Sequence, residues 1–374
     1  MPEKNSKPWF SEAALRVAAS HFAMEGTFAS GAAYGSGHIH DTFLVRTRER
    51  SSPDYILQRI NRVIFTDIPA MMENIARVCE HIRRQARDPD REALTVIPAA
   101  DGLPFHRDGE GRYWRCFRFI EHRELGQRPG RPQQAFEAGK LFGRFIVQLA
   151  DLPPSSLHVI IPRFHDVEFR LEEFAQALLA DPLGRRHEAA AEIALVNERA
   201  EGMKRVLAAG REARIPLRVT HNDTKFNNVL FDRWGRGLCL IDLDTVMPGY
   251  VPYDFGDAVR SAANTACEDE TDSGSVRLDM GVYRELARGF LHGLRGGLGA
   301  GERELLAFGA TLLTYTIGLR FLTDHLAGDL YFKTARPGHN LQRARAQFAL
   351  LADMERRFAE MEEIVRGLAA AATS

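Results

Sequence analysis

The chain has 374 residues, enough for two domains with full cores, and its 45% hydrophobic and 26% charged content is that of a soluble globular protein. A formal net charge of −1 gives no global attraction to nucleic acid or to an anionic membrane, so neither is expected as a partner and a small-molecule ligand is favoured. Cys79, Cys116, Cys239 and Cys267 form no C-x-x-C pair and read as small buried residues; the N-terminus lacks the apolar stretch of a leader and no run approaches a membrane span, so a cytoplasmic enzyme is expected.

In chain order, Trp9 to Met24 carries apolar positions at helical spacing, with Ser11 as N-cap and Gly26 as a stop. In YGSGHIHDTFLVRT, Gly35 and Gly37 allow a tight turn between a strand ending near Tyr34 and one over Thr42–Arg46. Such a hairpin either covers phosphates with backbone N–H groups or is an ordinary β-turn. Tyr55–Asn61 has strand composition, and Ile68–Gln85 is helical, with Met71, Met72, Ile75, Val78 and Ile82 on one face. Turn residues over Asp101–Gly111 separate two strand-like runs, and Tyr113–Glu121 closes a first domain, residues 1–121. The second, residues 122–374, opens with the polar His122–Pro132. It continues with a helix over Gln134–Leu149 ended by Pro153-Pro154, then a helical insertion around 164–215 broken at Asp181–Gly184.

Short strands follow at Leu217–Val219, Val229–Phe231 and Leu238–Ile241. Met247-Pro248-Gly249 turns the chain, and Tyr253–Asp257 opens a helix through Ala263 for which Asp254 fits an N-cap. After a solvated acidic run, Glu268–Asp272, helices are expected over Leu278–Leu294, Glu302–Leu326 and Leu341–Leu368, with a frayed end beyond.

Chemistry concentrates in the loop between the first two of those strands. His221-Asn222-Asp223-Thr224-Lys225-Phe226-Asn227-Asn228 has the spacing H-x-D-x-x-x-x-N, and an apolar run ending Asp242-Leu243-Asp244 follows. That is the spacing of a kinase catalytic loop, in which the aspartate takes the proton of the attacking hydroxyl and the asparagine holds magnesium. Triphosphate chemistry needs hard cations with oxygen ligands; Asn228 and Asp242 supply them, while Asp223 is the candidate base. The plainer alternative is that all three serve local turns and caps.

Further positions take meaning from that loop. The strand Tyr55–Asn61 lies where a kinase carries its phosphate-pairing lysine, yet no lysine is present; Arg59, whose guanidinium offers charge and two parallel donors, is preferred to Gln58, against the alternative of an exposed basic residue. Glu73 on the following helix is the candidate partner of Arg59, the alternative being a solvated helical glutamate. The crossing at Phe119–Glu121 is where an adenine edge would find hydrogen-bond partners. Farther on, Arg320 and Asp324 lie four apart on one helix with Tyr331 beyond it, suiting either a surface salt bridge or a cleft for sugar hydroxyls.

THNDTKFNNVLFD, LCLIDLDTVMPG and YDFGDAVR, with YILQRIN near the start and LRFLTDHLAGDLYFK near the end, resemble the N-acetylhexosamine 1-kinases of the aminoglycoside phosphotransferase and choline kinase superfamily, over about residues 28–350. The resemblance implies an α+β, protein-kinase-like two-lobed fold with a small β-rich N-lobe and a larger mainly helical C-lobe. It also implies ATP- and Mg2+-dependent phosphorylation of the anomeric hydroxyl of N-acetylglucosamine or N-acetylgalactosamine, by an enzyme expected to be a monomer. By the same resemblance Asp223 is the base, Asn228 and Asp242 are the metal ligands, and Asp254, with His221, supports the catalytic loop. Asp244, Arg320 and Tyr331 face the sugar, and Gln58-Arg59 agrees with this subfamily rather than with the wider superfamily. An aminoglycoside kinase using the Glu268–Asp272 run for a polycation is the competing enzyme, and a catalytically silent nucleotide-binding module is the competitor of another class. A choline kinase is disfavoured because Trp9, Trp114 and Trp234 all lie outside the helical region expected to line the acceptor pocket.

Overall fold

The computed structural model describes residues 10–35, 39–123, 125–126, 128–268 and 270–371, and the chain divides into two compact units. The first takes in residues up to His122 together with Leu157–Ile161 and Leu238–Val246; the second comprises Arg123–Ser156, Pro162–Gly237 and the chain from Met247 onward. Neither unit is one contiguous stretch, because short segments far apart in sequence pack with the first.

The first unit is built on an antiparallel sheet of β1 (Phe28–Ala33), β2 (Asp41–Thr47), β3 (Tyr55–Arg59), β4 (Val96–Ile97), β5 (His106–Arg107) and β6 (Tyr113–Arg118). Its order is β1-β2-β3-β6-β4, with β5 also on β6. Alternation puts Phe43, Val45, Tyr55, Leu57, Trp114 and Cys116 on one buried face, against α1 (Glu12–Ala19) and its Leu15. Helix α1 is capped as expected, Ser11 Oγ accepting from Ala14 N–H at 3.2 Å. It ends before Met24 because Phe22 bridges to Ala99 and the Ala23 N–H donates to Pro98. Helix α2 (Ile68–Gln85) buries the five predicted apolar positions, and the short α3 (Pro89–Glu92) follows. Asn74 of α2 ties in the two distant segments: its Nδ2 donates to the carbonyls of His158 and Val246, and its Oδ1 accepts from His158 N–H.

The second unit is mostly helical: α4 (Pro132–Gln148), α5 (Val167–Ala180), α6 (Ala190–Arg199), α7 (Arg205–Arg211), α8 (Val251–Ala262), α9 (Met280–Leu294), α10 (Ala300–Ala327), α11 (His339–Arg356) and α12 (Phe358–Ala371). Two of its strands, β7 (Arg218–Thr220) and β10 (Met247–Gly249), pair antiparallel, so the predicted Met247–Gly249 turn is a strand. The strand β8 (Val229–Phe231) leads into the Asp232–Arg236 turn, closed by Asp232 N–H to Arg236 O at 2.8 Å, and β9 (Gly237–Leu240) begins beyond it. Helices α4 and α9 touch backbone to backbone: a Cβ on Gly143 would lie 2.1 Å from Phe290 O, and one on Gly293 2.2 Å from Lys140 O.

Three further expectations are corrected. The helix predicted over Leu341–Leu368 is two, parted at Arg357 although neither Gly nor Pro marks the place; α12 turns to pack on α9, where Tyr283 Oη donates to Met361 O. The helix α10 does have the length and apolar content of a membrane span, but 89% of its most apolar 18-residue stretch is buried, as in a core helix. Cys267 is exposed, while the other three cysteines are buried. The expected α+β class, with a small antiparallel sheet in the N-terminal part and a larger helical C-terminal part, is the fold the chain adopts.

Candidate active site

In the second unit, β7 delivers the chain into His221–Asn228, and α8 holds that loop. Asp254 is not the helix N-cap, because the helix starts three residues earlier with Tyr250 at the cap and Pro252 in its first turn. Its carboxylate is thereby turned to the loop, where it accepts the N–H of His221 at 2.9 Å and of Asn222 at 2.7 Å. Thr224 Oγ1 donates to the Asp254 carbonyl, and Asn222 sits at φ 63°, a left-handed turn that these bonds hold in place. Burial pushes the Asp254 carboxyl up to about 6, against the nearby His221 and the two N–H bonds that pull it down. His221 is enclosed beside Phe142 and Phe145.

The loop presents Asp223 next to a cation. Lys225 Nζ lies 2.8 Å from Asp223 Oδ1, and Asn228 Nδ2 donates to the Asp223 carbonyl at 2.8 Å and to its Oδ2 at 3.2 Å. Burial alone would raise the Asp223 carboxyl, but Lys225, His221 and Arg260 outweigh it and hold the group below the ordinary range. Asp223 is therefore ionised at neutral pH, as a proton acceptor must be. Because its amide nitrogen is committed to Asp223, Asn228 is left with its carbonyl oxygen as the atom to offer a cation, the hard donor that magnesium prefers.

In the first unit, Asp242 adopts φ 62° and ψ 53° and leads into a tight turn over Leu243–Thr245. Asp244 within that turn is almost wholly buried: Arg115 Nη1 and Nη2 both donate to its carboxylate, and His40 Nε2 lies 2.5 Å from Oδ2. Burial disfavours the charge, yet Arg115 and His40 hold the Asp244 carboxyl well below its usual range.

The sequence pattern of the phosphotransferase enzyme family matches residues 30–305. The chain belongs to that family. Solved structures of similar fold include an aminoglycoside phosphotransferase from Alicyclobacillus acidocaldarius (14% identity, 97% of this chain and 98% of that one, TM-score 0.60). An amicoumacin kinase in complex with AMP-PNP and Ca2+ aligns at 12% identity over 91% of this chain and 93% of its own, with TM-score 0.57. A choline kinase from Cryptosporidium parvum aligns at 15% identity over 90% of each chain, with TM-score 0.56.

In this phosphotransferase the predicted Arg59–Glu73 pair is not formed. Arg59 Nε donates to Asp41 Oδ2 at 2.8 Å with its guanidinium over the Phe10 ring, and Glu73 is 2.8 Å from His158 Nε2. The two are separated because Asp41 lies directly across from Arg59 in the β2–β3 register, so the arginine is satisfied within the sheet. Gly35 has φ 70°, which only glycine adopts freely, and Gly37 lies outside the described residues. At the proposed adenine edge the Phe119 N–H is taken by Asp54 O at 2.8 Å and the Ile120 carbonyl by His122 Nδ1 at 2.7 Å; Glu121 is exposed. The Phe119 ring meets Tyr34 edge to face, at 5.9 Å between centroids.

The acceptor candidates divide. Asp244, expected to face the sugar, is instead enclosed, with both carboxylate oxygens engaged by Arg115 and His40. The Arg320–Asp324 surface salt bridge is also corrected: Asp324 is buried and accepts the N–H groups of Leu330, Tyr331 and Phe332 and the Asn340 amide, because the chain beyond α10 doubles back over it. Arg320 lies 5.4 Å from the ring centroids of Phe164, Tyr331 and Phe332. Burial, and then the charge of Arg170, pull its pKa below the usual arginine value. Of the acidic run, Glu268 pairs with Arg260 and Glu270 accepts from the N–H groups of Thr271 and Asp272.

Sequence reasoning passed over Lys225, His40 and Arg115. Lys225 was in view two residues after Asp223, and Arg115 stood out as a charge inside the apolar run Trp114–Ile120. His40 had no such signal.

Proposed function

We propose that this phosphotransferase moves the γ-phosphoryl group of ATP onto a hydroxyl of a small sugar, the anomeric hydroxyl of an N-acetylhexosamine. The observation that carries the phosphoryl-transfer reading is the Asp254-braced loop that keeps Asp223 ionised beside Lys225 and Asn228. The AMP-PNP and Ca2+ in the amicoumacin kinase of similar fold support a nucleoside triphosphate with a divalent cation.

In this reading Asp223 orients the acceptor hydroxyl and takes its proton as the oxygen attacks the γ-phosphorus and ADP leaves. Asn228 and Asp242 would hold Mg2+, whose charge offsets that of the phosphates. Lys225 balances the Asp223 carboxylate before transfer and remains as positive charge once the proton arrives. To the nucleotide this reading assigns Gly35 for phosphate contacts, with Arg59, Glu73 and Phe119–Glu121 as the remaining candidates for binding it. Arg320 and Tyr331, held in one aromatic and cationic cluster, are assigned to the sugar. The sugar assignment itself rests on the resemblance of the sequence motifs.

A turnover screen with ATP·Mg2+ tests this. Consumption of N-acetylglucosamine or N-acetylgalactosamine is expected, with a C1-phosphate seen by phosphorus–proton NMR. Turnover of aminoglycosides alone would point to the competing kinase, and nucleotide binding with no turnover would point to a silent module.

A further inference from the structure

Arg115 is a buried cation that the catalytic reading does not use. Arg115 is only 2% exposed and lies in the middle of β6, opposite Gln58 of β3. Its Nε donates to Gln58 Oε1 at 2.8 Å, and Gln58 Nε2 donates to Thr42 Oγ1 at 2.9 Å, so the guanidinium is aimed from two neighbouring strands. It grips Asp244 with both terminal nitrogens. On the other side His40 Nδ1 accepts the Asn61 N–H at 3.0 Å, which places the ring proton on Nε2, facing Asp244. The same turn is pinned again at its exit, where the Val246 carbonyl accepts from Asn74 Nδ2 at 3.0 Å.

At the entrance stands Asp242 in the left-handed region, a conformation that costs a residue with a Cβ about 1–2 kcal/mol and persists only where the surroundings enforce it. A desolvated ion pair adds little net stability over apolar residues of similar volume, so the His40–Asp244–Arg115 cluster is better explained by the geometry it imposes. We infer that Arg115 and His40 are positioning residues which, by clamping Asp244, hold Asp242 in the backbone conformation that presents its carboxylate to a nucleotide-bound divalent cation. The inference rests on the role given to Asp242 above. Gln58, one of the two residues weighed above for the missing lysine's role, is thereby committed to Arg115.

The test measures Mn2+ binding to the protein with AMP-PNP, from the electron paramagnetic resonance signal of free Mn2+, alongside urea unfolding. The double variant Arg115→Met/Asp244→Leu removes both buried charges at similar volume. It is expected to fold and to bind Mn2+ about 10–100-fold more weakly, the usual loss when a residue supporting a metal ligand is removed. A folded double variant with parental Mn2+ affinity overturns the inference. Should that variant not fold, His40→Phe removes one arm while Arg115 still pairs Asp244; several-fold weaker Mn2+ binding supports the clamp, and unchanged binding overturns it. Asp242→Asn separates the two levels: if it weakens Mn2+ binding and the clamp variants do not, only the clamp falls, whereas if it leaves binding unchanged, the role of Asp242 falls and the clamp with it.

Discussion

Asp254→Asn gives the sharpest test of how the catalytic loop is held. The parent carboxyl is buried, with its pKa raised from 3.8 to about 6, so it is protonated in the folded chain at pH values where the unfolded chain has already ionised it. Folding then carries a penalty that builds between about pH 4 and pH 6 and stays constant above; the shift corresponds to about 3 kcal/mol. Asparagine keeps one acceptor for the two N–H groups of His221 and Asn222 and adds no charge. The variant should lose about 1–3 kcal/mol for the N–H left without a partner, at every pH. Relative to the parent, it should be less stable at pH 4 and should recover by about 3 kcal/mol by pH 7. Urea midpoints followed by circular dichroism at pH 4, 5, 6 and 7 read this directly. A stability difference that does not change with pH would refute the account of Asp254 as a desolvated carboxylate spent on two backbone bonds.

The remaining predictions address the chemistry and the packing. Asp223→Asn should lower kcat by about 10²–10⁴ while nucleotide affinity in a calorimetric titration stays near parental. Asp242→Asn should instead weaken nucleotide binding in the presence of Mg2+ and leave binding in EDTA little changed. Arg320→Met, which keeps the packing and removes the charge from the Phe164–Tyr331–Phe332 rings, should raise KM for the acceptor with KM for ATP unchanged. Gly143→Ala, whose new methyl would meet Phe290 O, should destabilise by about 1–3 kcal/mol in thermal unfolding. Gly367→Ala, on the open face of α12, should stabilise by about 0.5–1 kcal/mol.

Local patterns carried most of the fold. The bounds of α2 match the predicted Ile68–Gln85, because its five apolar positions lie within one continuous stretch. The loop around Asp223 was legible for the same reason: its spacing is short and its residue types are chemically restricted. What escaped was decided by partners far along the chain. Arg115 meets Asp244 across 129 positions and His40 meets it across 204, so no window of sequence contains the cluster. The Arg59–Glu73 expectation failed because cross-strand register gave Arg59 a nearer carboxylate, and α12 broke from α11 under the pull of a contact with α9. Of the two uses open for Asp324, the surface salt bridge is excluded by the return of residues 330–332 over it, a tertiary event.

The glycine-on-carbonyl contact of α4 with α9 bears on how inactivating mutations in this enzyme should be interpreted. Gly237, at the exit of the turn that follows the catalytic loop, donates its N–H to Glu137 of α4 and packs against Leu141. A bulkier residue at Gly139, Gly143, Gly289 or Gly293 would wedge the helix pair apart and disturb that anchorage without touching a nucleotide or a sugar. Screens scored on lost turnover should therefore recover these four positions beside the reacting groups, and only ligand affinity measured on the soluble variants will tell scaffold from chemistry.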